Sequence, residues 1–138
     1  MTDYLLDSGF LYADIDSDDR HHSAVRAITA NLRGNIILPI PAITETAYFV
    51  SQNLGQRSLA KFLEDIIAAG FAFETPVPAD YLRAAEIIRK YVDANLDFVD
   101  AIIFALAERL DITKILTVDR RHFSMFRPAH CEAFEILP

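Results

Sequence analysis

Basic residues are scarce: 13 Lys and Arg stand against 20 Asp and Glu, a formal net charge of −7. Broad, sequence-independent coating of nucleic acid depends on a positive field meeting phosphates, so that class of function is excluded. Cysteine occurs once, as Cys131. One thiol excludes an internal disulfide, and Cys131 is expected as a small buried hydrophobe in an apolar C-terminal strand. Hydrophobic residues make up 52% of the chain, yet acids break every apolar run well short of the roughly 18 residues a membrane span requires, so none is expected. The opening MTDYLLDSGFLY has an acid at Asp3 and no basic stretch, which argues against a signal peptide and for a cytoplasmic protein. Repeats, low-complexity segments and linkers are also missing. The 138 residues read as one domain, 1–138, able to bury roughly two-thirds of its unfolded surface.

What is present centres on Leu96–Leu110, LDFVDAIIFALAERL, where Asp100 is the only polar side chain between Phe98 and Glu108. A helix apolar all round is a buried helix. An ionised carboxylate on it is costly unless a cation, a set of hydrogen bonds or a wet cleft receives it. Asp97, three positions earlier, lies on the same helical face and can point at the same object. Two readings stand for the pair: Asp97 caps the helix with Asp100 favoured by the dipole, or both hold a metal ion.

The rest of the chain alternates short apolar runs with amphipathic stretches. Asp3–Asp7 predicts a buried first strand that delivers Asp7 to its tip. Gly9 leaves room there for a ligand, and Ser8 is either a helix cap or a site residue. A helix over SGFLYADI follows, then an acidic turn at Asp14, Asp16, Asp18 and Asp19, which lacks the glycine and distal glutamate of a calcium loop and reads as solvated. The next helix, 19–33, carries Val25, Ile28 and Leu32 on one stripe, with His21 and His22 exposed or packing locally. NIILPI is a second strand. The helix that opens after Pro41 holds Glu45 in its first turn, and a further helix over 56–70 faces inward with Leu59, Phe62, Leu63, Ile66 and Ile67. FAFETPV is a short strand, suited to an edge. A helix over 80–95 shows a stripe of Leu82, Ala85, Ile88 and Val92. ITKILTVD, 112–119, is a fourth strand ending on Asp119, and CEAFEIL a fifth, suited to an edge.

Strands joined by helical stretches need crossover connections. The predicted fold is therefore a three-layer α/β/α sandwich with a mostly parallel sheet of about five strands, with strand tips on one side. Asp7, Glu45, Asp97, Asp100 and Asp119 then converge on one rim. So many carboxylates repel one another without cations, which makes a hard divalent ion, Mg²⁺ or Mn²⁺, the natural partner; zinc would want His or Cys. Such ions activate water and stabilise a leaving oxygen in phosphodiester hydrolysis.

In this order and spacing LLDSG, the glutamate of PAITETAYF, the pair in LDFVDAIIFALAERL and TVDRRHF resemble the PIN-domain family, and within it the VapC-type ribonuclease toxins. The resemblance covers nearly the whole chain. It implies a Mg²⁺-dependent endoribonuclease acting on RNA, a homodimer, and neutralisation by a cognate antitoxin. Carried over by position, Asp7, Glu45, Asp100 and Asp119 match the family's acidic quartet, Asp97 a commonly present fifth acid, and Ser8 and Thr117 polar positions beside the site. Arg120 and Arg121 are the candidate phosphate holders. A catalytically weak binding module of the same fold is one alternative. An aspartate-rich receiver-like signalling domain is another, although it would want a lysine where TVDRRHF offers an acid. The helices over 42–53 and 56–69 carry Ile43, Tyr48, Phe49, Leu59, Phe62 and Leu63, more apolar residues than one buried face requires, and are expected to form a groove for an amphipathic segment of the antitoxin.

Overall fold

β-branched and leucine-rich runs with no room for a polar face place three to five residues at a time in a sheet. A computed structural model describes all 138 residues. Its strands are β1 (Asp3–Leu6), β2 (Asn35–Pro39), β3 (Ala72–Glu74), β4 (Lys114–Leu116) and β5 (Glu135–Leu137). They form one sheet in the order β3-β2-β1-β4-β5, and every pairing is parallel. β3 and β5 are the edges, as FAFETPV and CEAFEIL suggest.

The helices are α1 (Ser8–Ile15), α2 (His22–Asn31), α3 (Ile40–Leu54), α4 (Gln56–Ala68), α5 (Pro78–Lys90), α6 (Phe98–Leu110) and α7 (Arg120–Met125). Right-handed crossovers put α1 to α4 on the face covered while the chain steps from β1 out to β3. They put α5 to α7 on the other face, covered on the way back to β4 and β5. The direction reverses between β1 and β4, and crevices for ligands form at such a switch point, outside the carboxyl ends of the strands. α6 is the central helix of its layer: nine consecutive residues, Val99–Ala107, are buried. No helix is long and apolar enough to cross a membrane.

Several boundaries differ from the sequence reading. α3 begins at Ile40, before Pro41, because proline suits the first helical turn; Glu45 therefore sits in the second turn, and dipole complementation explains it less well. β4 ends at Leu116, so Asp119 is not on the strand tip but beyond it, at the start of α7. The stripe expected on α5 is rotated: Leu82, Ile88 and Val92 are exposed, while Ala84 and Ile87 are buried. Asp80 anchors that face, accepting Arg109 Nε on both carboxylate oxygens at 3.0 Å. On α4 only Phe62 and Ile66 are buried, with Leu63 and Ile67 exposed. Cys131 precedes β5 in a bend, half-buried, its thiol donating to Ala133 O at 3.5 Å; Phe134 fills the core position instead. Gly9 makes room for the protein itself, since a Cβ there would stand 3.0 Å from Val118 Cγ2. The acidic turn is solvated as expected, with Asp16 accepting Asp18 N and Asp19 accepting His21 N.

A four-phenylalanine stack ties α6 to the C-terminal segment. Phe104 stacks on Phe126 at 4.3 Å between ring centres and meets Phe123 edge-on at 4.8 Å, with Phe134 closing the group. Because Phe123 belongs to α7, this packing sets where α7, and the residue that caps it, stand.

Candidate active site: an acidic crevice at the strand switch point

Asp7 follows β1 directly and caps α1, accepting Ser8 N on Oδ1 at 2.8 Å. Its other oxygen, Oδ2, accepts the Thr117 hydroxyl at 2.7 Å. Thr117 belongs to the neighbouring strand's end, because Leu6 pairs with Leu116 and Asp7 N carries the ladder on to Leu116 O at 2.9 Å. Thr117 Oγ1 in turn accepts Asp119 N at 3.0 Å. One buried hydroxyl thus holds two candidate ligands from the two strands that flank the switch point. Ser8, also buried, donates its hydroxyl to Glu45 of α3, tying a third acid to the first.

The remaining two acids arrive on α6. Asp97 is its N-cap, accepting Asp100 N at 2.9 Å, so capping describes Asp97 correctly and also fixes where Asp100 points. Asp100 itself is 8% exposed on the buried helix. Asp119 caps α7, accepting His122 N at 3.0 Å. The structure brings Asp7, Glu45, Asp100 and Asp119 to one crevice, with Asp97 more exposed at its edge. Neither Arg120 nor Arg121 pairs with these acids. Arg120 donates to the carbonyls of Ile136 and Pro138 at the end of β5, and Arg121 is exposed.

His122 is the member that sequence reasoning missed. Its Nδ1 lies 2.9 Å from Asp119 Oδ2 and 3.6 Å from Asp100 Oδ2, while Nε2 faces Ala94 O at 3.0 Å. A carbonyl only accepts, so Nε2 carries a proton. Nδ1 then meets two carboxylates either as a second N–H or, once an acid is protonated or a cation intervenes, as a lone pair. Asp100, Asp119 and His122 each offer a ligand atom within 4.8 Å of the others. The available signal was the spacing in TVDRRHF: a capping acid three residues before a histidine puts both side chains on the first turn.

The electrostatics are one-sided. No Lys or Arg forms an ion pair with any of these acids. Burial pushes Asp7 up to about 6, against the Thr117 and Ser8 hydrogen bonds and with a smaller push from the Glu45 and Asp119 charges. Burial together with the charges of Asp97, Asp7 and Asp119 pushes Asp100 up to about 7. Burial also raises Glu45. For His122 burial works downward, but the Asp119 hydrogen bond and charge prevail and raise it. Carboxylates held above their ordinary range by a dry, anionic setting fit a divalent cation, whose charge reverses every one of these penalties. A set of carboxylates with one imidazole is a donor set for a divalent cation.

A pH dependence follows for the metal-free protein. An acid whose folded pKa is raised binds its proton more tightly folded than unfolded, so its ionisation destabilises the fold. Stability should fall as pH rises from about 4, through the raised values near 6 and 7, and level off above them. Melting temperatures recorded in a chelating buffer between pH 5 and pH 8 check this. A midpoint that rises across that range would contradict the burial of Asp7 and Asp100 as ionisable acids.

Comparison with known proteins agrees with this geometry. The family model described as PIN domain matches residues 4–127. Ribonuclease VapC26 of Mycobacterium tuberculosis is 28% identical over 134 residues, covering 97% of this chain and 99% of the relative. Among solved structures, VapC20 of Mycobacterium tuberculosis, described as a Sarcin-Ricin loop cleaving toxin, superposes with a TM-score of 0.85 at 16% identity, covering 98% of this chain and 99% of that one. VapBC2 from Rickettsia felis, bound to a DNA fragment from the promoter, gives 0.70 at 14% identity over 99% and 100% of the two chains. These two likenesses establish the fold.

Proposed function

For a chain that belongs to the PIN-domain family, we propose the activity of a divalent-metal-dependent endoribonuclease, the toxin of a toxin–antitoxin pair working in the cytoplasm. The observation that carries this reading is the convergence of Asp7, Asp100 and Asp119 at the switch point with no lysine or arginine among them and His122 as their one basic neighbour. Asp7, Asp100 and Asp119 would hold Mg²⁺ or Mn²⁺, with Asp97 within reach at the edge. When bound, such an ion supplies charge to the scissile phosphate and makes water a stronger nucleophile near neutral pH.

The chain's own groups do the positioning. Thr117 locks Asp7 and the Asp119 backbone together. Ser8 orients Glu45, whose raised affinity for a proton suits it to take or return one at the reacting water. His122 fixes the Asp119 carboxylate, as groups hydrogen-bonded to metal ligands commonly do. With Arg120 turned to the C-terminal carbonyls, exposed Arg121 is the better placed to meet a substrate phosphate. Ser8 and Thr117 serve substrate through the acids they hold.

The antitoxin and a second copy are the proposed protein partners. The structure divides the six residues expected to form one groove. Phe62 is core, and Ile43 and Leu59 are half-buried, while Tyr48, Phe49 and Leu63 are exposed. A cavity of about 520 Å³ opens instead between the α1–α2 turn and α4, with Leu11, Ile15, Phe62 and Ile66 as floor and, around it, Asp16 and Asp18 together with the ion pairs Arg26–Asp14 and Lys61–Asp65. An apolar floor with an acidic rim suits a basic amphipathic segment of the antitoxin.

Titration with Mg²⁺ or Mn²⁺ tests the reading. Millimolar metal should raise the melting temperature, because an ion bound only by the folded chain stabilises it by about 3–4 kcal/mol at 100 to 1,000 times its Kd, and should switch on cleavage of structured RNA. An unchanged melting curve together with intact RNA would favour the binding module of the same fold.

A further inference from the structure

Beside the acidic crevice lies a second cavity, of about 710 Å³, whose walls include Tyr48, Phe49, Tyr81 and Phe98. Its position follows from the chain. Phe98 is the residue after the Asp97 cap, Tyr48 and Phe49 lie one turn along α3 from Glu45, and Glu45 lines both the cavity and the acidic site. The rings stand in the open: Tyr48 is 61% exposed, Tyr81 48%, Phe98 49% and Phe49 41%. Leaving four aromatic side chains this wet is costly unless something covers them. They are also ordered against one another, Tyr81 and Phe98 lying 6.1 Å apart and within 15° of parallel, Tyr48 and Phe49 edge-on at 5.7 Å.

The walls carry no lysine or arginine, so nothing there would hold a phosphate. Thr44 and Thr75 add hydroxyls, and the only charge, Glu45, is negative. The chemistry asks for a planar, uncharged ligand with a π-face and edge donors, delivered to within one residue of the acids. Resting on the RNA-cleaving role proposed above, we infer that this cavity is a base-binding subsite, in which a nucleobase flanking the cleaved phosphate leaves its stack and lies against Tyr48, Tyr81 and Phe98. Continuity with the acidic crevice favours the substrate's own base over a separate ligand. The subsite also answers the charge problem: a chain with a net charge of −7 grips RNA near its site by stacking, which needs no positive field, where other nucleases use cations. Single-stranded loops and ends are the RNA elements whose bases are free to enter.

The test is binding of a short single-stranded oligoribonucleotide carrying one 2-aminopurine, against the same oligomer with an abasic residue at that position. Binding is read with Mg²⁺ in the full-length chain bearing Asp100→Asn, so that the RNA persists. The base-containing oligomer should bind about tenfold more tightly, within the range one stacked base contributes, and its fluorescence should be quenched. Tyr48→Ala with Tyr81→Ala should erase that difference, and Tyr81→Phe should keep it. The lost component should be equal at about 50 and 200 mM salt, because stacking releases no counterions. Both tyrosines are exposed, so the melting temperature should hold in every variant.

Equal affinity for the abasic oligomer, or unchanged discrimination in the double variant, overturns the subsite. So does a double variant that turns from dimer to monomer in sedimentation while its base discrimination is unchanged, which would assign the face to a second copy. Base-dependent binding by a wild-type chain that cleaves no RNA would keep the subsite and remove the nuclease reading. Cleavage with no dependence on the base would do the reverse.

Discussion

Asp100→Asn is expected to abolish RNA cleavage and, in the same protein, to raise the melting temperature measured without metal. The two effects have one cause. Asp100 is carried on a helix buried along nine residues, and burial and three neighbouring acids push it up to about 7. Asparagine keeps the shape and removes the charge. Each pKa unit corresponds to about 1.4 kcal/mol, and after discounting for solvent screening in the open crevice a gain on the order of 2 kcal/mol at pH 8 remains, roughly 5 °C for a chain of this size. Loss of a ligand should cost more in rate than the roughly 10- to 100-fold typical of groups that merely orient ligands. Activity on RNA and thermal melts in chelating buffer give both readouts. Wild-type cleavage would remove Asp100 from the site, and an unchanged melt would show that its charge is relieved by some other means.

Phe104→Ala is expected to be the most destabilising single truncation among the side chains that support the site. Phe104 is fully buried and touches Phe123, Phe126 and Phe134. Removing a ring from such a place costs about 3–5 kcal/mol through lost transfer energy and the cavity left behind, a large fraction of the stability of a small domain. The loss should not be confined to stability. α7 has six residues and leans on this ring group through Phe123, so the Asp119 cap and His122 lose their support, and cleavage should fall even at temperatures where the variant is folded. Phe104→Leu, which retains most of the volume, should recover both in part. A urea-unfolding change below about 1 kcal/mol would mean that the phenylalanines repack without Phe104.

The layers, the parallel sheet and the four acids of the crevice were legible in the sequence because each leaves a periodic or exceptional mark. Apolar runs of strand length and a lone aspartate in an apolar helix are such marks. Boundaries were less legible. α3 begins at Ile40, ahead of the proline read as preceding it, and β4 stops at Leu116, short of the acid read as its tip. The α5 stripe misled because Leu82, Ile88 and Val92 outweigh Ala84 in hydrophobicity, yet Asp80 and its arginine partner fix which side turns inward. His122 escaped because its role depends on where α7 begins, and that is set by ring packing from residues far along the chain.

The placement of β1 between β2 and β4 has a bearing on when, during synthesis, the acidic site comes into being. Asp7 is among the first residues synthesised, but the hydroxyl that holds it belongs to Thr117, 110 positions later. Contacts this distant form late, after the loop between them has closed. A growing chain that has yet to deliver β4 has Asp7, Glu45, Asp97 and Asp100 to offer, without the strand that aligns the first of them or the acid that completes the set. The crevice is therefore assembled only when nearly the whole polypeptide has been made, and a chain stopped before β4 lacks both Thr117 and Asp119.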